Sequence, residues 1–427
     1  CILSRGLGDV YKRQGGGILV NSNAHNLEIA NNHVFSNNGS YNGGVRIGQP
    51  FLELPEPDGD SYEFNTRVNI HHNAITQNGG LGGAGGGLSI NTGSDQYEVS
   101  SNFVCGNFTT GDGGGIGHLG LSDDGVIANN RIILNQSFNQ AVTVSGGGLF
   151  IGGEPVVVEA AELDNPNALG VGAGNVDVLS NTIQSNHAAG GKGGGIRTQF
   201  VNGLDIVNAN NSNRWYEVNI QDNSIVNNVT DWAGGGISLQ DTVRATISRN
   251  TIAHNDSTAT IGGAVVLNVS TKQPAGISTE THSAALSSVL PASEEAFSNP
   301  DMPTSPGQAN TIWANRSFHY DATDGTAKLI PELIQATVGA CDPDAEYWDL
   351  DALLGGSLSL TAPASPFAAD TTYCNGGRQL VDDPSTPDVV EPGPMWPLPA
   401  LDEGGNKWID VRFGPLTHDP AGSYTPY

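Results

Sequence analysis

Asn73-Ala74-Ile75-Thr76-Gln77-Asn78 is one copy of a six-residue phrase, Asn-x-(Ile/Val)-x-x-Asn, around which the chain is built. Further copies run Asn32–Asn37, Asn102–Asn107, Asn130–Asn135, Asn181–Asn186, Asn223–Asn228, Asn250–Asn255 and Asn310–Asn315. A glycine-led phrase follows nearly every copy, as in Gly85-Gly86-Gly87-Leu88-Ser89-Ile90 and Gly234-Gly235-Gly236-Ile237-Ser238-Leu239. Just upstream of the Asn phrase lies an alternating apolar pair, such as Val68/Ile70, Tyr97/Val99 or Val218/Ile220. Self-similarity at a fixed period marks a repeat architecture.

Each unit holds three short period-2 segments bounded by turn residues, too short for helices. The most compact units repeat every 27–29 residues, enough for three strands of a few residues and three corners. One unit cannot bury its own apolar side chains; stacked units can. Successive strands then pair in parallel about 4.8 Å apart, and parallel crossovers are overwhelmingly right-handed. The expected fold is all-β: a right-handed parallel β-helix with three strands per coil and long loop insertions. Glycine runs suit its tight corners. Asparagine tolerates left-handed backbone, and its stacked amides can bond as a ladder.

Residues 15–267 carry coils in register, 268–309 is a Ser/Thr/Pro-rich excursion or linker, and 310–427 reads as a loop-rich, truncated continuation of the β-helix. Residues 1–14, CILSRGLGDVYKRQ, stand outside the repeat and resemble translated sequencing-adapter read-through, a non-native scar. That resemblance implies that the true N-terminus is missing, along with any signal peptide and earlier coils. Three insertions, Gly48–Arg67, Gly152–Asn175 and Gln199–Glu217, each follow a glycine-led strand. They should leave one edge of the solenoid, where such insertions form a binding face.

The glycine pairs with (Phe/Ile)-x-x-Asn, such as Gly43-Gly44-Val45 with Phe35–Asn38, resemble the repeats of polymorphic outer-membrane proteins and other bacterial surface β-helices. The likeness covers about 15–267. It implies export to the bacterial surface or medium and a role in adhesion or polysaccharide binding, with a cell-surface glycan as partner. The wider pectate-lyase-like superfamily shares the architecture and includes polysaccharide lyases and glycoside hydrolases, which form the alternative reading. Fold alone does not choose between them.

Composition narrows the partners. Asp+Glu 44 against Lys+Arg 17 gives a net charge of −27, which argues against nucleic acid and anionic lipid. No run of 18 apolar residues is present, so no helical membrane span is expected.

Catalytic chemistry finds little support. The expected outward positions of the glycine-led strands, Arg46, Ser89, Phe150, Arg197 and Ser238, separate the two arginines by four coils, roughly 19 Å, too far to share one sugar. Glu28 and Glu98 stand two coils apart, roughly 9.6 Å by strand spacing. That is the upper edge of the range for an inverting carboxylate pair, and solvated glutamates are the plainer reading. His71-His72 should place one ring half-buried and one exposed.

Asp58, Asp60 and Glu63 in one loop, and Asp342 with Asp344 in another, gather oxygen ligands suited to calcium, although neither forms a full calcium-loop pattern. No other cofactor is expected. Cys341 and Cys374 flank a loop-rich stretch that a disulfide could staple in an exported protein. Aromatics cluster at the insertions: Tyr62 and Phe64, Phe200, Trp215 with Tyr216, and Trp232 at the neighbouring corner. Beside Glu63 and Glu217 they could stack on sugar rings, although packing a loop onto its coil is the ordinary use of such residues.

Overall fold

The computed structural model describes residues 16–353 except 51, 53–62, 155–168, 210, 262–264, 267, 306, 327 and 331–345. Four sheets carry the repeat, parallel throughout except for one antiparallel edge strand, Glu346–Tyr347. Sheet A holds the strands upstream of the Asn phrase, from Glu28–Ala30 through Asn69–His71 and Glu98–Ser100 to Arg244–Ser248. Sheet B holds those inside the phrase, from His33–Phe35 to Thr311–Trp313. Sheet D holds the glycine-led strands, from Ile18–Val20 through Ile196–Gln199 to Leu350–Leu353. Between B and D comes sheet C, whose strands of two or three residues, such as Phe108–Thr109 and Gln136–Phe138, occupy what the sequence reads as a corner. The helices are short: Leu204–Asn208, a 3-10 turn at Ser212–Arg214, and Ala284–Ser287. This all-β stack of parallel sheets is compatible with a β-helix solenoid.

The expected register is realised. Ile75 pairs with Val104, which pairs with Ile132, and the row continues through Ile183 and Ile225 to Ile252. All six side chains are fully buried. They join the inward positions of sheets A and D in one continuous core. Parallel sheets buried on one face by identical rows gain apolar burial at every added repeat, about 25 cal/mol per Å2 removed from water.

The asparagines form the expected ladders by a different backbone route. Positive φ falls on the residue before every ladder Asn except Asn310, as at His72 (53°), Asn129 (56°) and Leu134 (58°). None of the ladder asparagines is itself in the left-handed region. Each is held by its amide: Asn186 Nδ2 donates to Asn228 Oδ1 at 3.0 Å and to the Ile132 carbonyl at 2.9 Å. Its own Oδ1 accepts from the backbone N–H and Nδ2 of Asn135, both at 3.0 Å.

The corner Gly193-Gly194-Gly195 shows why the glycine runs recur. Gly193 takes φ of 70°, and a Cβ on Gly194 would lie 2.4 Å from the Val229 carbonyl oxygen.

Two expectations change. The stretch 268–309 is not outside the repeat, because Ile277–Glu280 pairs with Ile237–Gln240 and later with Leu350–Leu353, extending sheet D. Its lead-in, Ala275-Gly276, is a one-glycine version of the corner. The outward positions Arg46, Ser89, Phe150, Arg197 and Ser238 are also buried. The segments that approach each glycine corner lie across this face. Ala84 packs with Leu119 and Phe150, and a Cβ on Gly117 would meet Ala84 at 2.7 Å.

Candidate functional site

The three insertions leave the corner between sheets D and A, since each begins at the end of a sheet D strand and ends before a sheet A strand. At this corner lies a cleft of about 720 Å3. Leu121, Val171 and Leu204 give it apolar wall, while Asp123, Asn175, Asp205, Asn208, Arg214 and Tyr216 supply polar groups and one aromatic ring.

Hydrogen bonds fix its shape. Asp205 accepts from Asn202 Nδ2 at 2.8 Å, the Gly203 N–H at 2.6 Å and the Tyr216 N–H at 2.9 Å, closing the insertion on itself. Asp123 Oδ1 accepts from the Asn175 N–H at 2.7 Å and Asn175 Nδ2 at 3.0 Å, tying two repeats together. The local field is negative. Burial, then Asp123, Asp205 and Asp95, push the Tyr216 phenol up to about 12. Burial also raises Asp95; its bond from the Asp123 N–H opposes this, while the carboxylates of Asp123 and Asp124 add to it.

The expected binding residues divide. Tyr216 lines the cleft, half-buried. Trp215 does not: its side chain is buried with Ile206 and Leu286, and Nε1 donates to the Ala209 carbonyl at 3.3 Å. It anchors the insertion, so as a stacking surface it is corrected. Glu217 is occupied by Arg244 at 2.8 Å. Phe64 is half-buried and lies where a Cβ on Gly93 would meet it at 3.2 Å. Glu63 is exposed, 3.9 Å from His25. Trp232 is partly exposed at the corner between sheets C and D, with the Lys192 ammonium 3.9 Å from its ring centre.

Glu28, Asn69 and Glu98 are consecutive in sheet A register, as expected, and both glutamates are exposed. Glu28 bonds His71 Nε2 at 2.9 Å, and His71 is half-buried while His72 is exposed. Neither glutamate lines the cleft. Tyr62, Asp58, Asp60, Asp342, Asp344, Cys341 and Cys374 lie outside the described residues. Among the described residues no group of three or more His, Cys, Asp or Glu side chains is placed to hold a metal, and no helix is long and apolar enough to cross a membrane.

A polar cluster that the sequence reading did not assemble lies beneath the cover of sheet D. Glu280 accepts from both Lys192 and Arg197. Arg197 also donates to Ser238 Oγ and Gln240 Oε1, each at 2.7 Å. Burial pushes the Glu280 carboxyl up, but Arg197 and Lys192 outweigh it and hold the acid below its ordinary value. Lys192 is lowered by burial, against the pull of Glu280. Arg197 and Lys192 were both visible in sequence; Glu280 sat in the stretch read as an excursion, with Ala275-Gly276-Ile277 as the faint signal.

No protein-family model, curated protein or solved structure matches the chain.

Proposed function

We propose that the chain is an exported, right-handed parallel β-helix that binds an extended polysaccharide along the corner between sheets D and A, without cleaving it. The observation that carries this reading is the cleft, built where the insertions leave and walled by the Tyr216 ring, the amides of Asn175 and Asn208, and apolar side chains. A flat ring beside convergent hydrogen-bonding groups suits a sugar, which presents an apolar ring face and a polar rim. The lining comes from three successive repeats, a span of about 10 Å by strand spacing that fits two or three sugar units of a longer polymer. The right hand follows the bias of parallel crossovers. Display at a bacterial surface rests on the likeness of the glycine–Asn repeats to those of surface β-helices.

The enzymatic alternative draws less support. Glu28 and Glu98 face solvent away from the cleft. The basic pair Lys192 and Arg197 is covered and shares Glu280 as counter-ion, which leaves no cation facing a substrate there.

Affinity electrophoresis through gels carrying soluble polysaccharides tests the proposal. Tyr216→Ala should weaken retardation roughly three- to ten-fold, the worth of an aromatic contact, while Tyr216→Phe keeps most of it. Trp215→Ala should instead lower thermal stability, because its ring is core. Retardation unchanged in Tyr216→Ala would move the site elsewhere.

A further inference from the structure

The cleft carries its own charge preference. Asp123 and Asp205 lie on its wall, Asp95 is close enough to act on the Tyr216 phenol, and Asp124 adjoins Asp123. Against these stands one lining cation, Arg214, exposed at the rim. Two lining carboxylates, backed by Asp95, against one lining guanidinium leave the cleft acidic. The acidity is built in. Asp205 fastens the insertion through three donors, and Asp123 joins two repeats, so neither side chain can swing away to admit an anion.

The whole chain adds to the same field, with a net charge of −27. A polyuronate or sulfated chain brings one negative charge per sugar or more. Like charges brought together in a partly desolvated cleft repel more strongly than in bulk water. Salt at 0.15 M screens beyond about 8 Å, which weakens the long-range part but not contacts inside the cleft.

Resting on the binding reading above, we infer that the cleft is selective for uncharged polysaccharide: neutral hexose or pentose polymers are its ligands, and polyuronates are rejected unless a divalent cation bridges the two sets of carboxylates. Asp123 is the specificity-determining residue. It lies on the wall with Tyr216, and its amide partner Asn175 is also a lining group. In Asp123→Asn the side-chain oxygen still accepts from Asn175 while the charge is gone.

Binding of the full chain to xylan and laminarin, as neutral probes, and to polygalacturonate and alginate, as anionic probes, separates the outcomes. Each is measured by affinity electrophoresis at 0.15 M salt, with EDTA or with calcium. The expected result is retention on at least one neutral polymer and, in EDTA, about ten-fold or weaker affinity for both polyuronates. Asp123→Asn should narrow that gap, read as the ratio of polyuronate to neutral affinity within the same variant. A polyuronate bound in EDTA as tightly as the neutral polymers overturns the charge selection and leaves the binding reading standing. The same holds if Asp123→Asn leaves the gap unchanged. Retention on none of the four polymers, with or without calcium, overturns the binding reading itself.

Discussion

His118 occupies an inward position of sheet D, stacked between Ile90 and Ile151 in a row that is otherwise aliphatic apart from Thr198 and Thr279. Its Nε2 lies 2.9 Å from the Gly120 carbonyl and 3.0 Å from the Ala173 carbonyl, so that nitrogen carries the proton. Nδ1 then accepts from the Tyr97 hydroxyl at 2.7 Å. The ring is thus held neutral. Burial lowers its pKa from 6.5 to about 4, against the opposing pull of the two carbonyls. The depressed value sets the sign of the pH dependence. As pH falls from 6.5 towards 4, the unfolded chain takes up a proton that the folded chain refuses, so stability is lost through that window and levels off below it. The loss is on the order of 3 kcal/mol. His118→Gln can keep both hydrogen bonds without titrating. Urea melts between pH 7 and pH 4 should show wild type losing more stability than the variant; parallel curves would remove His118 as the cause.

Two rows of amides set the strength of the middle repeats. Each interior asparagine serves the turns of three repeats at once, whereas Asn37, at the first turn, donates to Asn78 Oδ1 and the Phe35 carbonyl and is only half-buried. Asn186→Ala would strand the donors of Asn135 and the Ile132 carbonyl inside the protein, and each stranded group costs about 1–3 kcal/mol. Thermal melts should therefore show a loss of at least about 3 kcal/mol for Asn186→Ala and about 1 kcal/mol or less for Asn37→Ala. Equal losses would mean that the ladder is ornamental.

The row through Asn186 ends on a different side chain. Asp349 Oδ1 accepts from the Asn315 N–H at 3.0 Å and Nδ2 at 2.8 Å. The amides point their N–H groups towards this acceptor, which favours a negative charge. Burial opposes that and wins, leaving the Asp349 pKa raised despite both bonds. A raised acid favours folding while protonated, and that advantage disappears as pH rises through its folded pKa. Asp349→Asn should therefore stabilise at neutral pH, and the gain should vanish on acidification towards pH 4. A variant less stable than wild type at pH 7 would show that the charge, and not the hydrogen bonds, closes the row. The amide rows were legible in sequence because their spacing is strict. Their left-handed neighbours were not, because His72, Leu134 and Asn129 share no chemistry; the turn is imposed on them by the stack.

Across the whole molecule, what could be read in advance follows one rule: a period of two says which way a side chain points, not what lies beyond it. The inward row from Ile75 to Ile252 and the common corner of the insertions were readable on that basis. The covering of sheet D was not, because it depends on segments between strands that carry no period. The strand Ile277–Glu280 was hidden for a related reason, lying about 40 residues from its partner Ile237–Gln240 behind a single glycine. That hidden strand alters the mechanics of the stack. Solenoid repeats normally couple only to their neighbours, yet Arg197 reaches past Ile237–Gln240 to Glu280, and Lys192 joins it there. Three successive sheet D strands are thereby fastened as one unit. Glu280→Gln would leave two buried cations side by side without the carboxylate that both of them bond, and breaking a buried pair in this way costs about 3–5 kcal/mol. The loss should be local. Hydrogen exchange should show Ile277–Glu280 and Leu350–Leu353 opening well before sheet B around Ile132, whereas wild type keeps Ile277–Glu280 protected along with its neighbours. Lys192→Met combined with Glu280→Gln should recover part of the protection by removing one of the stranded charges. If exchange in Glu280→Gln rises evenly along the stack, or does not rise at all, the three-strand clasp is not what couples these repeats.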